Sequence, residues 1–459
     1  MQIKSGIEIH QQLDTHKLFC NCPSVLRKDE PEFEIRRRLH AVAGEGGVVD
    51  IAAKHESEQD REFVYEGYDS TCLVEIDEEP PHLINNEALQ TVLHVALLLK
   101  CEILPISQIM RKTVVDGSNT SGFQRTVLVA RNGYLETESG RVGIDNISLE
   151  EDSCRVIDRG EGRFRLDRLG IPLIEIGTAP DIKSPEQAKG VALYIGDILR
   201  SCKVKRGIGT IRQDVNVSIP GHPRVEIKGF QDVKMFVPTI EKEVGRQENN
   251  LSKKTDLVSQ VRNALPDGAS EFMRPMPGAA RMYPETDLPL LRISKQIIDE
   301  AKRTLPKLRS ELKVELIKKG LREEEIKILL REDNLEEFEN LLKIINEPRF
   351  IYKVLIEVPK QVGEINIDII ESIVYAVSEG RLERSDLKQV MQGIISGKSI
   401  GEALNIEKAD LGDVESEVAK IIKEKPGLGI GGYMGLIMQK FKGKVNGSEA
   451  NQILNKLLK

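Results

Sequence analysis

Polar and apolar residues alternate through Ile3–Leu13 (IKSGIEIHQQL), where Ile7 and Ile9 mark one side and Glu8, His10 and Gln12 the other. A period of two predicts a strand and points Glu8 and His10 to the same face. A later apolar run, Ile171–Ile176, holds a single carboxylate, Glu175, and the run before it ends in the acidic triplet Glu150-Glu151-Asp152. Between Ile106 and Thr137, two strand-like runs flank the polar turn Asp116–Gly122. Farther on, Arg212, Asp214, Asn216 and Ser218 alternate with Ile211, Val215, Val217 and Ile219, apart from Gln213, and Glu226 and Lys228 repeat the alternation one hairpin later. Asn and Asp are poor strand formers and need a reason to occupy such positions.

Helical spacing enters at Glu87–Lys100, an apolar face with a basic end. It returns at Ser184, where Ser-Pro-Glu-Gln supplies an N-cap, proline at the first helical position and an acid in the first turn. Glu241–Asn263 is charged and lacks sustained periodicity, which predicts a linker or an exposed helix end. Met273–Ile293 is dense in Pro and Gly and sets Arg274, Arg281, Glu285 and Asp287 in a non-repetitive loop, a kind of segment that is commonly functional. From about Ser294 the chain is helical in period through Ile297–Leu342, Ile365–Val377 and Asp386–Ile395, then closes on a Gly-rich run into an amphipathic helix and a final basic one. The pattern predicts an α+β fold: a catalytic domain followed by all-helical parts.

A chain of 459 residues implies two to four domains. No apolar run approaches bilayer-spanning length, and MQIKSGIEIH resembles neither a secretory signal nor a transit peptide, so no membrane and a cytoplasmic location are expected. A net charge of −7 argues against non-specific wrapping of nucleic acid by the whole molecule, while leaving room for local basic faces. Six cysteines do not make a secreted disulfide framework. Cys101, Cys154 and Cys202 sit in apolar patterns as core residues. Cys20, Cys22 and Cys72 fall one ligand short of a tetrahedral zinc site, so partly buried free thiols are expected in preference to zinc.

The chemistry enters through Glu175, which is costly to bury unless protonated, paired or bound to a cation. For Glu8 and His10, spacing alone fits a solvated outer face as well as a ligand pair. Together, Glu8, His10, Glu150, Glu175, Asp214 and Glu226 are carboxylates with one imidazole, which suit Mg²⁺ or Mn²⁺ better than structural zinc. Which of Glu150 and Glu151 faces inward stays open. No Walker A loop, no strand-bound G-x-G-x-x-G and no nucleophile elbow occurs; the turn around Ser118 offers amides and hydroxyls to a phosphate. Phosphoryl transfer from metal-bridged ATP is the chemistry this set favours, because it depends on charge neutralisation and positioning.

Several of these segments, GIEIHQQLDTHKLF, LEED at 149–152, RLGIPLIEIGTAPDI, RQDVNVSI, VEIKGF and MYPETDLP at 282–289, resemble the B/E subunit family of tRNA-dependent amidotransferases. GIEIHQQL with MRPMPGAARMYPETDLP is nearest to its archaeal E branch, and GLGIGGYMGLIMQK resembles the family's YqeY-like tail. The resemblance implies a cradle-shaped, glutamine-synthetase-like catalytic domain with an antiparallel sheet over 1–291, a helical domain over 292–405 and a tail over 406–459. It implies ATP-dependent transamidation of Glu-tRNA(Gln) to Gln-tRNA(Gln) through a γ-phosphoryl intermediate. Ammonia would come from an asparaginase-like D subunit, in a heterotetramer of two D and two E subunits. By the same resemblance, His10, Glu175 and Glu150, or Glu151 in its place, would hold Mg²⁺ with Glu8 beside them. Asp214 and Glu226 would hold a second cation or align ammonia, and Arg212, Lys228 and Arg281 would neutralise phosphate. E-branch chains usually carry an inserted domain shared with aspartyl-tRNA synthetases, for which Glu241–Asn263 leaves no room. The alternative is a non-catalytic tRNA-binding protein retaining the fold.

Overall fold

The computed structural model describes residues 3–44, 47–49, 53, 54, 57, 61–230, 232–276, 282–332, 334–404, 411–441, 445 and 447–458. Its strands, in chain order, are β1 (Lys4–Gln12), β2 (Phe33–Arg38), β3 (Glu62–Gly67), β4 (Glu102–Ile103), β5 (Ile106–Ser107), β6 (Ile109–Thr113), β7 (Phe123–Thr137) and β8 (Gly140–Glu151). They continue with β9 (Arg155–Asp158), β10 (Arg163–Arg165), β11 (Pro172–Thr178), β12 (Ile211–Ser218), β13 (Val225–Phe230), β14 (Gln260–Ala264), β15 (Ser270–Pro275), β16 (Met282–Pro284) and β17 (Leu291–Arg292). One large sheet runs in the order β15-β14-β13-β12-β1-β11-β8-β7-β6-β16, with β4 beside β7. Every pairing along it is antiparallel except β13 with β14. The first strand of the chain therefore lies at the centre of the sheet, between β11 and β12.

Three helices cover one face: α1 (Asn86–Leu98), α2 (Pro185–Ser201) and α3 (Phe236–Lys253). Ile7 and Ile9, Ile174 and Ile176, Ile147 and Leu149, and Val215 and Val217 bury against Val92 and Ala96 of α1, Val191 and Ile195 of α2, and Phe236 and Ile240 of α3. With a side-chain period of two, burial of these residues sends their neighbours Glu8, His10, Glu175, Glu150 and Asp214 to the uncovered face. The Ser184 hydroxyl accepts from the Gln187 amide at 3.1 Å, capping α2 where the sequence placed its start.

Over Glu241–Asn263, where a linker or an exposed helix end is expected, the structure has the end of α3, with one side buried rather than exposed throughout, and then most of β14. The inward positions of α3 after Ile240 are Glu243, Gln247 and Asn250, all buried and polar. Gln247 accepts from the Ile219 amide at 3.1 Å and donates to Glu243 at 2.8 Å, while Arg246 pairs with Glu243 at 2.8 Å. The helical period is present, but polar side chains carry it, so a hydrophobic scan passes over it.

Contacts divide the chain between Arg309 and Ser310. Beyond the boundary the described elements are all helices, from the one at Arg309–Lys318, which begins a residue before it, to Gly447–Leu457. Phe338, Ile351, Val354, Ile373 and Val390 form one core; Val414, Val418, Tyr433, Ile437 and Leu454 form another. The α+β reading, a large antiparallel-rich sheet followed by helices, agrees with this architecture. No helix among the described residues is long and apolar enough to cross a membrane.

The loop beyond β16 is anchored electrostatically. Glu285, 1% exposed, accepts from Arg111 at 2.6 Å and from Arg125 at 2.9 Å, and Arg125 reaches Glu151 at 3.4 Å. Removing one partner of such a buried set leaves a charge uncompensated. Glu285→Ala is expected to destabilise the first unit by roughly 3–5 kcal/mol in urea unfolding; a loss below about 1 kcal/mol, the range of an exposed pair, would contradict the assignment.

Candidate active site

Strand register assembles the uncovered face. Across β1 and β11, His10 lies opposite Glu175; across β1 and β12, Glu8 lies opposite Asp214 and His10 opposite Arg212. His10 Nε2 is 3.2 Å from Glu175 Oε2 and 3.4 Å from Glu8 Oε1. These three side chains offer ligand atoms within 4.8 Å of one another, a donor set that fits a hard divalent cation. Glu150, 2% exposed, joins the corner through Lys112, whose Nζ lies 2.8 Å from Glu150 and 3.5 Å from Glu175. Gln124 also donates to Glu150, at 3.1 Å. One strand away from the corner, Lys228 is held between Asp214 at 2.5 Å and Glu226 at 2.6 Å.

Crowding of acids sets the protonation states. Burial, then repulsion from Glu175, pushes the Glu8 carboxyl up to about 7. Burial would raise Glu175 as well, but Lys112 and His10 outweigh it and hold Glu175 below the usual carboxylate range. Burial disfavours the charged form of His10, and its hydrogen bond to Glu175 reverses that, raising it. Lys228 likewise overcomes burial through Asp214 and Glu226 and is raised.

Glu8, His10, Lys112, Glu150, Asp214 and Lys228 line a cleft of about 930 Å³, and Arg168, Asn263 and Arg274 also line it. The pleat separates Glu150 from Glu151. Glu151, the alternative ligand in the sequence, is excluded from the corner because it faces the opposite side, where it accepts from the Arg125 amide at 3.1 Å and pairs with the Arg125 guanidinium. Ser118 does not line the cleft either; its amide and hydroxyl both donate to Asp116 Oδ1, at 3.0 and 2.6 Å. Arg281 lies outside the described residues. Sequence reasoning passed over Lys112, Gln124 and Arg168. Alternation along IMRKT and FQRT would have flagged Lys112 and Gln124 as face residues, but nothing local singles out Arg168.

A second cluster forms away from the cleft lining. The thiols of Cys20, Cys22 and Cys72 converge with a Glu75 carboxylate oxygen, all within 4.8 Å. Glu75 also pairs with buried Lys17 and accepts from the Cys72 amide at 2.9 Å. Hydrogen bonds from Cys20 and Cys22 hold the Cys72 thiol well below its usual range. Three sulfurs and one carboxylate oxygen make up the four-ligand count that the cysteines alone lack, a donor set compatible with zinc.

The raised Glu8 carboxyl carries a pH signature. Its neutral form favours the fold, so that contribution is complete below 4.5 and is lost as pH rises through about 7. In chelator, Glu8→Gln is expected to melt at the same temperature as wild type at pH 4 and above it at pH 8, and added Mg²⁺ should raise the wild-type melting temperature more than that of the variant. An equal gap at both pH values, or equal Mg²⁺ responses, would contradict the assignment.

Comparison with known proteins places this cleft in a family. A family model described as the GatB/GatE catalytic domain matches residues 3–299. The chain is 36% identical to the E subunit of glutamyl-tRNA(Gln) amidotransferase from Methanocaldococcus jannaschii, with 100% of this chain and 98% of the relative aligned. It is 34% identical to the protein of the same name from Archaeoglobus fulgidus, at the same coverage. For that of Thermococcus sibiricus the identity is 33%, with 99% of this chain and 97% of the relative covered. The first alignment extends over 621 positions against the 459 residues of this chain, which is therefore shorter than that relative. The chain belongs to the GatB/GatE family and, within it, to the E subunits of glutamyl-tRNA(Gln) amidotransferase.

Proposed function

We propose that this chain is the synthetic subunit of an ATP-dependent transamidation that converts Glu-tRNA(Gln) to Gln-tRNA(Gln). The observation that carries the reading is the Glu8–His10–Glu175 corner, with Lys112 and Glu150 against it, in the open cleft. In the first step the substrate's γ-carboxylate oxygen bonds to the γ-phosphorus of ATP and ADP departs. In the second, ammonia bonds to the acyl carbon, phosphate leaves and a proton is lost from nitrogen. His10, Glu150 and Glu175 would hold Mg²⁺, which when bound supplies charge neutralisation between phosphate oxygens.

The chain's own residues do the rest. Arg212 and Lys228 offset negative charge on phosphate, and Arg274 adds a cation to the same wall. Asp214 and Glu226, each within 2.6 Å of Lys228, are the acceptors for the proton shed by nitrogen. Ammonia comes from a separate asparaginase-like D subunit, in an assembly of two D and two E subunits in the cytoplasm. Residues 1–291 take the role of a glutamine-synthetase-like cradle, a helical domain follows over 292–405, and the tail over 406–459 holds the tRNA body by shape and backbone contact. The length missing relative to the M. jannaschii protein corresponds to the inserted aspartyl-tRNA-synthetase-like domain.

Glu175→Ala is expected to lower Gln-tRNA formation by ~100-fold or more in the complex with its ammonia-supplying partner. Full activity in that variant would overturn the metal corner. Unchanged tRNA binding, with no ATP hydrolysis in wild type on addition of Glu-tRNA, would favour a non-catalytic tRNA-binding protein instead. For the thiol cluster, about one equivalent of zinc is expected in wild type and none in Cys22→Ser by elemental analysis; equal zinc in both would remove it as a site.

A further inference from the structure

Asp152 closes the acidic triplet but takes no part in the metal corner. It is 0% exposed, and its carboxylate lies just behind the cleft wall. Its backbone is fixed on both sides, the amide donating to Ile171 at 2.8 Å and the carbonyl accepting from Gly170 at 2.9 Å. Its carboxylate accepts from Gln12 Nε2 at 2.6 Å, from the Ser153 amide at 2.9 Å and from Arg212 Nη2 at 2.9 Å, and Arg168 Nε lies 3.9 Å away. Arg168 is fixed independently, donating to the carbonyls of Ser153 at 2.8 Å and Cys154 at 2.6 Å.

A single carboxylate thus stands behind two guanidinium groups, and the charge does not cancel. Each guanidinium has five N–H donors. These hydrogen bonds use one donor on Arg212 and two on Arg168, while both side chains line the cleft and stay part-exposed, 43% and 23%. Beside them Gly207 and Gly209 also line the cleft, on either side of exposed Ile208, and their φ values of +121° and +84° belong to glycine. Arg212 is the register partner of His10, so an anion on this patch lies next to the acid–imidazole corner. Planar forks carrying unspent donors and net positive charge fit phosphate oxygens.

We infer that Asp152 is a positioning residue that sets Arg212 and Arg168 as the two arms of a phosphate subsite in the cleft. This deepens the proposed function and rests on its assignment of the cleft. The phosphate belongs either to ATP or to the 3′ end of the tRNA, and kinetics separate the two sources. In the complex with the ammonia-supplying partner, Asp152→Asn, which keeps the shape but not the charge, should raise one KM about tenfold with kcat within about twofold. A raised KM for ATP assigns the subsite to the nucleotide; a raised KM for Glu-tRNA assigns it to the RNA backbone. Arg168→Gln, a change at a part-exposed side chain, should raise the same KM and leave the melting temperature near wild type.

Two results overturn the inference: unchanged KM values for both substrates in Arg168→Gln, or a fall in kcat and melting temperature of Asp152→Asn without a KM change. Failure of the parent reading is distinguishable, because wild type would then make no Gln-tRNA. In that event the subsite is read by calorimetric binding of metal-free ATP to the chain, about tenfold weaker in Arg168→Gln if the subsite exists and equal if it does not.

Discussion

Acids set side by side in a half-buried cleft repel one another, and the architecture around β1 contains that repulsion. Ile7 and Ile9 are held under the covering helices, so β1 cannot slip by one residue without burying Glu8 and His10. Its neighbours are locked in the same way through Ile174, Ile176, Val215 and Val217. Carboxylates from separate strands are thereby forced together on the uncovered face, and cations of the chain are set among them. Lys112 stands between Glu150 and Glu175, His10 between Glu8 and Glu175, and Lys228 between Asp214 and Glu226. Each of these cations is shared by two carboxylates, and Glu8 is the member least compensated.

The pleat divides labour within a short stretch of sequence. Glu150 points to the cleft, Glu151 points through the sheet to Arg125 and the Glu285 anchor, and Asp152 turns back to the arginine wall. Three consecutive acids thus fall to the candidate metal corner, the Arg125 anchor and the arginine wall of the proposed subsite. The isolated acid in an apolar run, Glu175, owes its low pKa to Lys112 and His10, both supplied by other strands.

What could be read from the sequence follows from how local each signal is. The central strands were legible because their inward positions are apolar and alternate, and α2 because its cap and first turn are contiguous. Helix α3 was hidden because Glu243, Gln247 and Asn250 occupy its inward face. The candidate residues singled out from sequence, Glu8, His10, Glu150, Glu175, Asp214, Arg212, Glu226 and Lys228, lie on strands with nearly regular alternation. The setting of Arg168 and Asp152 was not legible, since it depends on contacts that join the residues after β8 to β12 and to the segment before β11. The clustering of Cys20 and Cys22 with Cys72 and Glu75 depends on contacts across some fifty residues, which cysteine spacing does not encode.

The central claim is that the Glu8–His10–Glu175 corner holds a divalent cation in the working protein. Anomalous diffraction from crystals grown with Mn²⁺ and a non-hydrolysable ATP analogue tests it most directly. A peak bonded to His10 and Glu175, with Lys112 displaced from at least one carboxylate, is the result the account predicts. A corner without anomalous signal, with Lys112 still bridging Glu150 and Glu175 while the analogue is bound in the cleft, would contradict it.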